Sequence, residues 1–257
     1  MNFIQALILG VVEGVSEFLP ISSTGHLILT SDILGLDPTE FLKSFEISIQ
    51  FGAILSVVVL YWRLLLRKWE IWKRLAVAFA PTAVLGLIFY KLIKHYLLGN
   101  SYVVVWALFI GGVALIAFEL WHKEKDDHTD DMEKIPYKKA FLIGLFQSIA
   151  MIPGVSRSAA TILGGLSVGL KRKTIVEFSF LLAVPTMLAA TVLDLFKSAH
   201  SFTSSEIDSM AIGFISAFIV AGLSIKFLLK YIQRHSFIAF GVYRIIAALI
   251  FWVRFLD

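Results

Sequence analysis

The chain alternates long apolar runs with short polar breaks. Runs at about 46–62, 76–96, 102–120, 211–229 and 237–256 each approach the length of a membrane-crossing helix, which is ~20 residues. Polar stretches separate them: a loop at 31–44 with Asp32, Asp37, Pro38 and Glu40, the basic RLLLRKWEIWKR at 63–74, the turn Leu98-Gly99-Asn100, and a highly charged loop at 122–139. The first apolar segment, 1–30, differs from the others because Pro20 breaks it near its middle. Proline ends a helix by removing a backbone donor and clashing with the preceding turn. Each half is too short to cross, so the pattern predicts a re-entrant helix pair. Such backbone is tolerated at membrane depth only where protein or a watery cavity surrounds it.

From Lys139 the pattern begins again. A shift of 134 residues lays Gly10 on Gly144, Glu13 on Gln147 and Ser22 on Ser156. The second copy, GLFQSIAMIPGVSRSAAT, is likewise an apolar segment broken by Pro-Gly and followed by hydroxyls. FEISIQFGAIL (45–55) matches VEFSFLLAVPT (176–186), with Glu46 over Glu177 and Ser48 over Ser179, and the last two runs answer to 76–96 and 102–120. The predicted fold is an all-α polytopic membrane protein with six transmembrane helices plus two re-entrant helix pairs. It forms a single integral membrane domain over 1–257. Internal repeats at about 1–121 and 139–257 are joined by a charged loop at 122–138. An odd number of spans per repeat makes this an inverted-topology repeat, a plan that places sites at the repeat interface near mid-membrane.

Composition agrees. Of 257 residues 58% are hydrophobic and 16% charged, against roughly 45–50% and 25% in soluble domains. No polar stretch is long enough for a sizeable soluble domain, and the absence of cysteine excludes disulfides and thiolate metal sites. The net charge of +4 implies no nucleic-acid partner, because the basic residues lie in short loops. Those at 63–74, 122–139, 171–174 and 226–235 outnumber the rest, which places these loops in the cytoplasm and both termini outside. Lys91 and Lys94 fall on the other side, where they can snorkel to the interface. No basic leader precedes the first apolar run, and Glu13, Glu17 and Pro20 interrupt it, so it does not read as a removable signal peptide.

Candidate chemistry gathers at the two breaks. GVVEGVSEFLPISSTGH (10–26) carries Glu13 and Glu17, four apart and so on one helix face, then Ser22, Ser23, Thr24 and His26. Hydroxyls at a helix start cap free N–H groups, and such a start attracts anions. Acids beside an anion site call for a divalent cation between them. Ionisable groups inside a membrane segment cost ~2.5–3.5 kcal/mol each on insertion scales, so these are functional candidates rather than decoration. At the second break, PGVSRSAAT (153–161) holds Arg157 with no acid within fifteen positions. Its guanidinium matches phosphate in a two-pronged geometry, with Ser156, Ser158 and Thr161 around it. The alternative is an ion pair with Glu13 or Glu17 that holds the repeats together.

EGVSEFLPISSTGH and PGVSRSAAT closely resemble the signature motifs of the bacterial undecaprenyl-diphosphatase, or bacitracin-resistance protein, family. FEISIQFGAILSVV and EFSFLLAVP extend the resemblance along the full chain. It implies removal of the terminal phosphate of undecaprenyl diphosphate, a polyprenyl diphosphate lipid, to recycle the carrier for peptidoglycan and other cell-wall polymers. It also implies dependence on Mg²⁺ or Ca²⁺, a multi-pass location in the bacterial inner membrane with the site open toward the periplasm, and membrane lipids as neighbours. A homodimer stays open. The site it carries over comprises Glu13, Glu17, Ser22, Ser23, Thr24, His26, Ser156, Arg157, Ser158 and Thr161; Gln147 joins as a substrate contact through the repeat. Ala159 departs from the family pattern, where glycine is expected. In the resulting scheme Glu13 and Glu17 bind the metal, and Glu17, Ser23, His26 and Arg157 are catalytic. Ser23 is the preferred nucleophile, with His26 or Glu17 as its base; His26 itself or water remains open in that role. One rival is a polyprenyl-phosphate transporter or flippase, which needs no nucleophile. Another, a second lipid-phosphatase superfamily whose PSGH and SR elements SSTGH and SRS resemble, fails because Leu163 and Ser167 stand where its histidine and aspartate belong.

Overall fold

In a computed structural model, which describes residues 1–97, 100–125, 128–195 and 203–255, the chain is helical throughout, with no strand among the described residues. The helices are α1 (Phe3–Ser16), α2 (Ser23–Ile33), α3 (Glu40–Arg67), α4 (Trp69–Leu92), α5 (Ser101–Trp121), α6 (Tyr137–Ser148), α7 (Arg157–Ser167), α8 (Arg172–Leu195), α9 (Ser204–Tyr231) and α10 (Ile238–Phe255). Local sequence sets several of the starts. Asn2 and Gln5 form a reciprocal capping box at α1, Thr39 accepts from the Leu42 N–H at α3, and Asn100 caps α5. Most of the Leu98-Gly99-Asn100 turn lies outside the described residues.

Four helices, α3, α4, α5 and α9, are long and apolar enough to cross a membrane. Val59, Trp62, Leu87, Ile88, Ile110 and Leu223 stand more than half or nearly three-quarters exposed on them. Contiguous apolar surface of that extent fits a hydrocarbon solvent and not water. The chain is therefore a multi-pass membrane protein. The runs at 46–62, 102–120 and 211–229 lie inside α3, α5 and α9, whose ends extend past them.

Both expected breaks are present, with one shift. α1 ends at Ser16, four residues before Pro20, and Glu17 is its C-cap. Pro20 sits in the turn that follows, consistent with the bias of pre-proline residues away from helix. The second break runs through a short 3₁₀ turn, Ile149–Met151, before α7 begins at Arg157.

Glycines let the broken segments pack backbone-close against the long helices. A Cβ on Gly10 of α1 would fall 2.0 Å from Ser216 Oγ and 2.5 Å from the Gly213 carbonyl of α9. A Cβ on Gly144 of α6 would fall 2.0 Å from the Ala78 carbonyl of α4. α1 thus lies on α9 and α3, while α6 lies on α4 and α7, and α5 pairs with α10. The start of α7 meets the turn after α1, and Arg244 of α10 reaches the carbonyls of both breaks.

Candidate active site

The turn after α1 and the start of α7 meet through side chain and backbone. Glu17 is buried and divides its two oxygens between the segments. Oε2 accepts from Ser23 Oγ at 2.6 Å, and Oε1 faces Arg157 Nη2 at 3.2 Å. Arg157 Nη1 donates to the Ser179 carbonyl at 2.8 Å, and its guanidinium lies 5.9 Å from the Phe18 ring. Its Nε is buried with no hydrogen-bond partner. The arginine is thus anchored on one edge and retains unused donor capacity, the state of a fork awaiting an anion.

Glu13, one turn earlier on α1, is fully buried, and neither of its carboxylate oxygens has a hydrogen-bond partner. It lies beside Glu17 and Glu46. Two bare buried oxygens next to a second carboxylate fit the donor set of a hard cation. Among the described residues no cluster of three His, Cys, Asp or Glu could hold a metal. The described residues thus offer a pair of carboxylates, a donor set that would leave room for phosphate oxygens on a shared cation.

The backbone is strained where chemistry is expected. Ser22 and Ser156, the residues before α2 and α7, have φ of 73° and 75° and are the only non-glycine residues with positive φ among those described. Such conformations cost ~1–3 kcal/mol each and persist only when their surroundings hold them. No side chain caps the first turn of α2, whereas the Ser156 hydroxyl accepts from the Ala159 N–H at 3.2 Å. The N-terminus of α2 thus keeps its free N–H groups, with Ser23 at its first position, as an anion-binding end.

His26 is held at both ring nitrogens. Nδ1 donates to the Ser22 carbonyl at 2.7 Å, which leaves Nε2 of the neutral ring to accept from Tyr243 Oη at 2.6 Å. The two rings stack with centroids 5.4 Å apart. Of the two bases read from the sequence for Ser23, Glu17 accepts from its hydroxyl, while the ring nitrogens of His26 are engaged by Ser22 and Tyr243.

Several residues read as substrate contacts have other partners. Ser158 donates to the Phe18 carbonyl at 2.8 Å, and Thr161 is bonded to the Arg157 and Ser158 carbonyls and to Ser179 Oγ. Both are fully buried, so they join α7 to the first break and to α8. Thr24 is exposed, while Ser22 is buried and its carbonyl serves His26. Gln147 donates to Thr82 at 2.9 Å and Thr186 at 3.2 Å, tying α6 to α4 and α8 rather than joining Arg157. The sequence reading passes over Tyr243 and Arg244, and it gives Ser179, aligned there with Ser48, no role at the site. Arg244 stands alone in an apolar run, as Arg157 does, and that same signal marks it.

These features define a multi-pass membrane protein with a buried, anion-directed centre where two broken segments meet. Comparison with known proteins gives the family. Residues 6–250 match the family described as Bacitracin resistance protein BacA. Proteins named undecaprenyl-diphosphatase are 56% identical in Aquifex aeolicus (98% of each chain), 53% in a Sulfurihydrogenibium species (98% of this chain, 99% of that one) and 53% in Persephonella marina (98% of each). The chain belongs to the bacitracin-resistance, undecaprenyl-diphosphatase family.

Proposed function

We propose that this protein hydrolyses undecaprenyl diphosphate to undecaprenyl phosphate and inorganic phosphate. The family and its relatives' names support the activity, and one contact carries the reading: Glu17 touches Ser23 and Arg157 at once. Ser23 Oγ attacks the terminal phosphorus as its proton passes to Glu17 Oε2. The bond to the bridging oxygen breaks, and undecaprenyl phosphate leaves, taking the proton from Glu17. Water then attacks the phosphoserine and gives its proton to the freed Glu17 carboxylate; Ser23 Oγ departs and takes that proton back as inorganic phosphate is released. Arg157 takes the charge that builds on the transferred phosphoryl oxygens, which phosphoryl transfer requires more than covalent assistance. His26 keeps the α2 turn in place through the Ser22 carbonyl, and the engagement of Nε2 by Tyr243 disfavours it as nucleophile.

Glu13 and Glu17 are the residues that would hold a divalent cation, Mg²⁺ or Ca²⁺. When bound, it neutralises phosphate charge and polarises the P–O bonds. The prenyl tail lies along the exposed apolar helix faces. The relatives' names lend the transporter alternative no support.

The architecture follows the repeat. α1–α2 and α6–α7 form two re-entrant pairs, and α3, α4, α5, α8, α9 and α10 are six spans. The matching roles of Gly10 on α9 and Gly144 on α4 support this. The basic stretch at 63–74, where α3 passes into α4 through Lys68, lies in the cytoplasm of a bacterial inner membrane, and the site opens toward the periplasm. Labelling from outside intact cells of a cysteine placed at Arg67 contradicts that orientation. The activity is tested by phosphate release from undecaprenyl diphosphate by protein purified in detergent. Release is expected with Mg²⁺ or Ca²⁺, falling to background with chelator or in Ser23→Ala; no release under any cation refutes the reading.

A further inference from the structure

Arg244, on α10, is the largest of the fully buried side chains among the described residues, and it forms no ion pair with any of them. Each of its N–H groups meets a backbone carbonyl instead. Nε donates to Leu108 at 3.3 Å, Nη2 to Ala107 and Gly154 at 2.9 Å each, and Nη1 to Val155 at 2.9 Å and Pro20 at 3.3 Å. That uses the full set of guanidinium donors. α5 is shaped to admit the group, because a Cβ on Gly111 would fall 2.1 Å from Nη2.

The acceptors matter more than their number. Pro20 lies two residues before Ser22, and Gly154 and Val155 immediately precede Ser156. Those two serines hold the only positive-φ conformations among described non-glycine residues. Each starts a helix whose first residue belongs to the centre, Ser23 on α2 and Arg157 on α7. A single planar group therefore grips the chain just before both strained serines.

We propose that Arg244 is a positioning residue, clamping the two serine turns so that Ser23 and Arg157 face one phosphoryl group, without itself touching substrate. Its effect on turnover rests on the phosphatase reading; its effect on geometry does not. Lysine cannot replace it, since one ammonium with three donors cannot span carbonyls on three chain segments.

The test compares Arg244→Lys and Gly111→Ala with a control, Arg172→Lys, which alters a partly buried arginine paired with the buried Glu119. In protein that purifies folded, Arg244→Lys is expected to lower kcat about 100-fold, the scale of an ångström of misplacement. KM is expected to stay within about three-fold, because the lipid tail's binding is untouched. Gly111→Ala, which denies the guanidinium its place while keeping it in the chain, reproduces that split, and Arg172→Lys does not. Normal turnover per folded Arg244→Lys molecule overturns the proposal, as does an equal loss in Arg172→Lys. So does failure of both test variants to fold while the control folds, since Arg244 would then be a determinant of the whole bundle. A geometric readout separates this from the phosphatase reading. Spin labels on cysteines introduced at Thr24 and Ile152, both exposed in a chain lacking native cysteine, are expected to give a narrow distance distribution that broadens in Arg244→Lys. An unchanged distribution overturns the clamp whatever the activity.

Discussion

Glu17 accepts from Ser23 with one oxygen and meets Arg157 with the other, while His26 is engaged by a carbonyl and a phenol. The choice of base therefore becomes a comparison of two variants. Glu17→Gln should lower kcat by about 10²–10⁴-fold, the usual range for a general base. His26→Asn should cost less, because it loosens the α2 turn without removing Ser23's acceptor. A larger loss in His26→Asn than in Glu17→Gln, measured as phosphate release by folded protein, makes His26 the base. Sequence revealed Glu13, Glu17 and Arg157 because ionisable groups in apolar runs are costly and need a reason. The bond of Thr161 to the Arg157 carbonyl is local to its own helix. Sequence did not reveal that Ser158 donates to the Phe18 carbonyl 140 residues away, because which distant carbonyl a hydroxyl meets is set by the fold. Tyr243 and Ser179 were illegible for the same reason: their partners lie 217 and 22 residues distant.

Among the elements, α1 depends on its closeness to α9. Gly10→Ala would press a methyl into Ser216 and the Gly213 carbonyl, whereas a Cβ on Gly222 has its nearest neighbour at 3.9 Å. Gly10→Ala should thus destabilise the protein by about 1–3 kcal/mol, the usual cost of overpacking. Gly222→Ala should be neutral or slightly stabilising, since alanine is the better helix former. Thermal melting in detergent distinguishes them, and equal melting temperatures would remove close packing as the reason for Gly10. Helix positions were largely legible from apolar runs, but their ends were not. α1 stops at Ser16, four residues before Pro20, and the turn that follows carries a positive φ at Ser22 that Pro20 alone does not announce. α9 reaches from Ser204 to Tyr231, beyond the apolar run, with Thr203 and Glu206 forming its capping box.

For the whole molecule, the account rests on two segments about 140 residues apart composing one centre. The break in each was visible in sequence; their contact was an inference from the repeat, and the structure places Glu17 against Arg157. That contact admits two readings, a phosphate-binding arginine or a counter-ion holding the bundle together. Truncating one partner of a buried pair costs ~3–5 kcal/mol, so alanine would confound folding with catalysis. Lysine keeps the charge but loses the planar fork. The decisive measurement is phosphate release from undecaprenyl diphosphate by Arg157→Lys protein whose yield and melting temperature match the wild type. The account predicts a loss of about 10²–10³-fold in kcat, the scale of removing a donor aimed at developing charge. Near-normal turnover by that protein would contradict it.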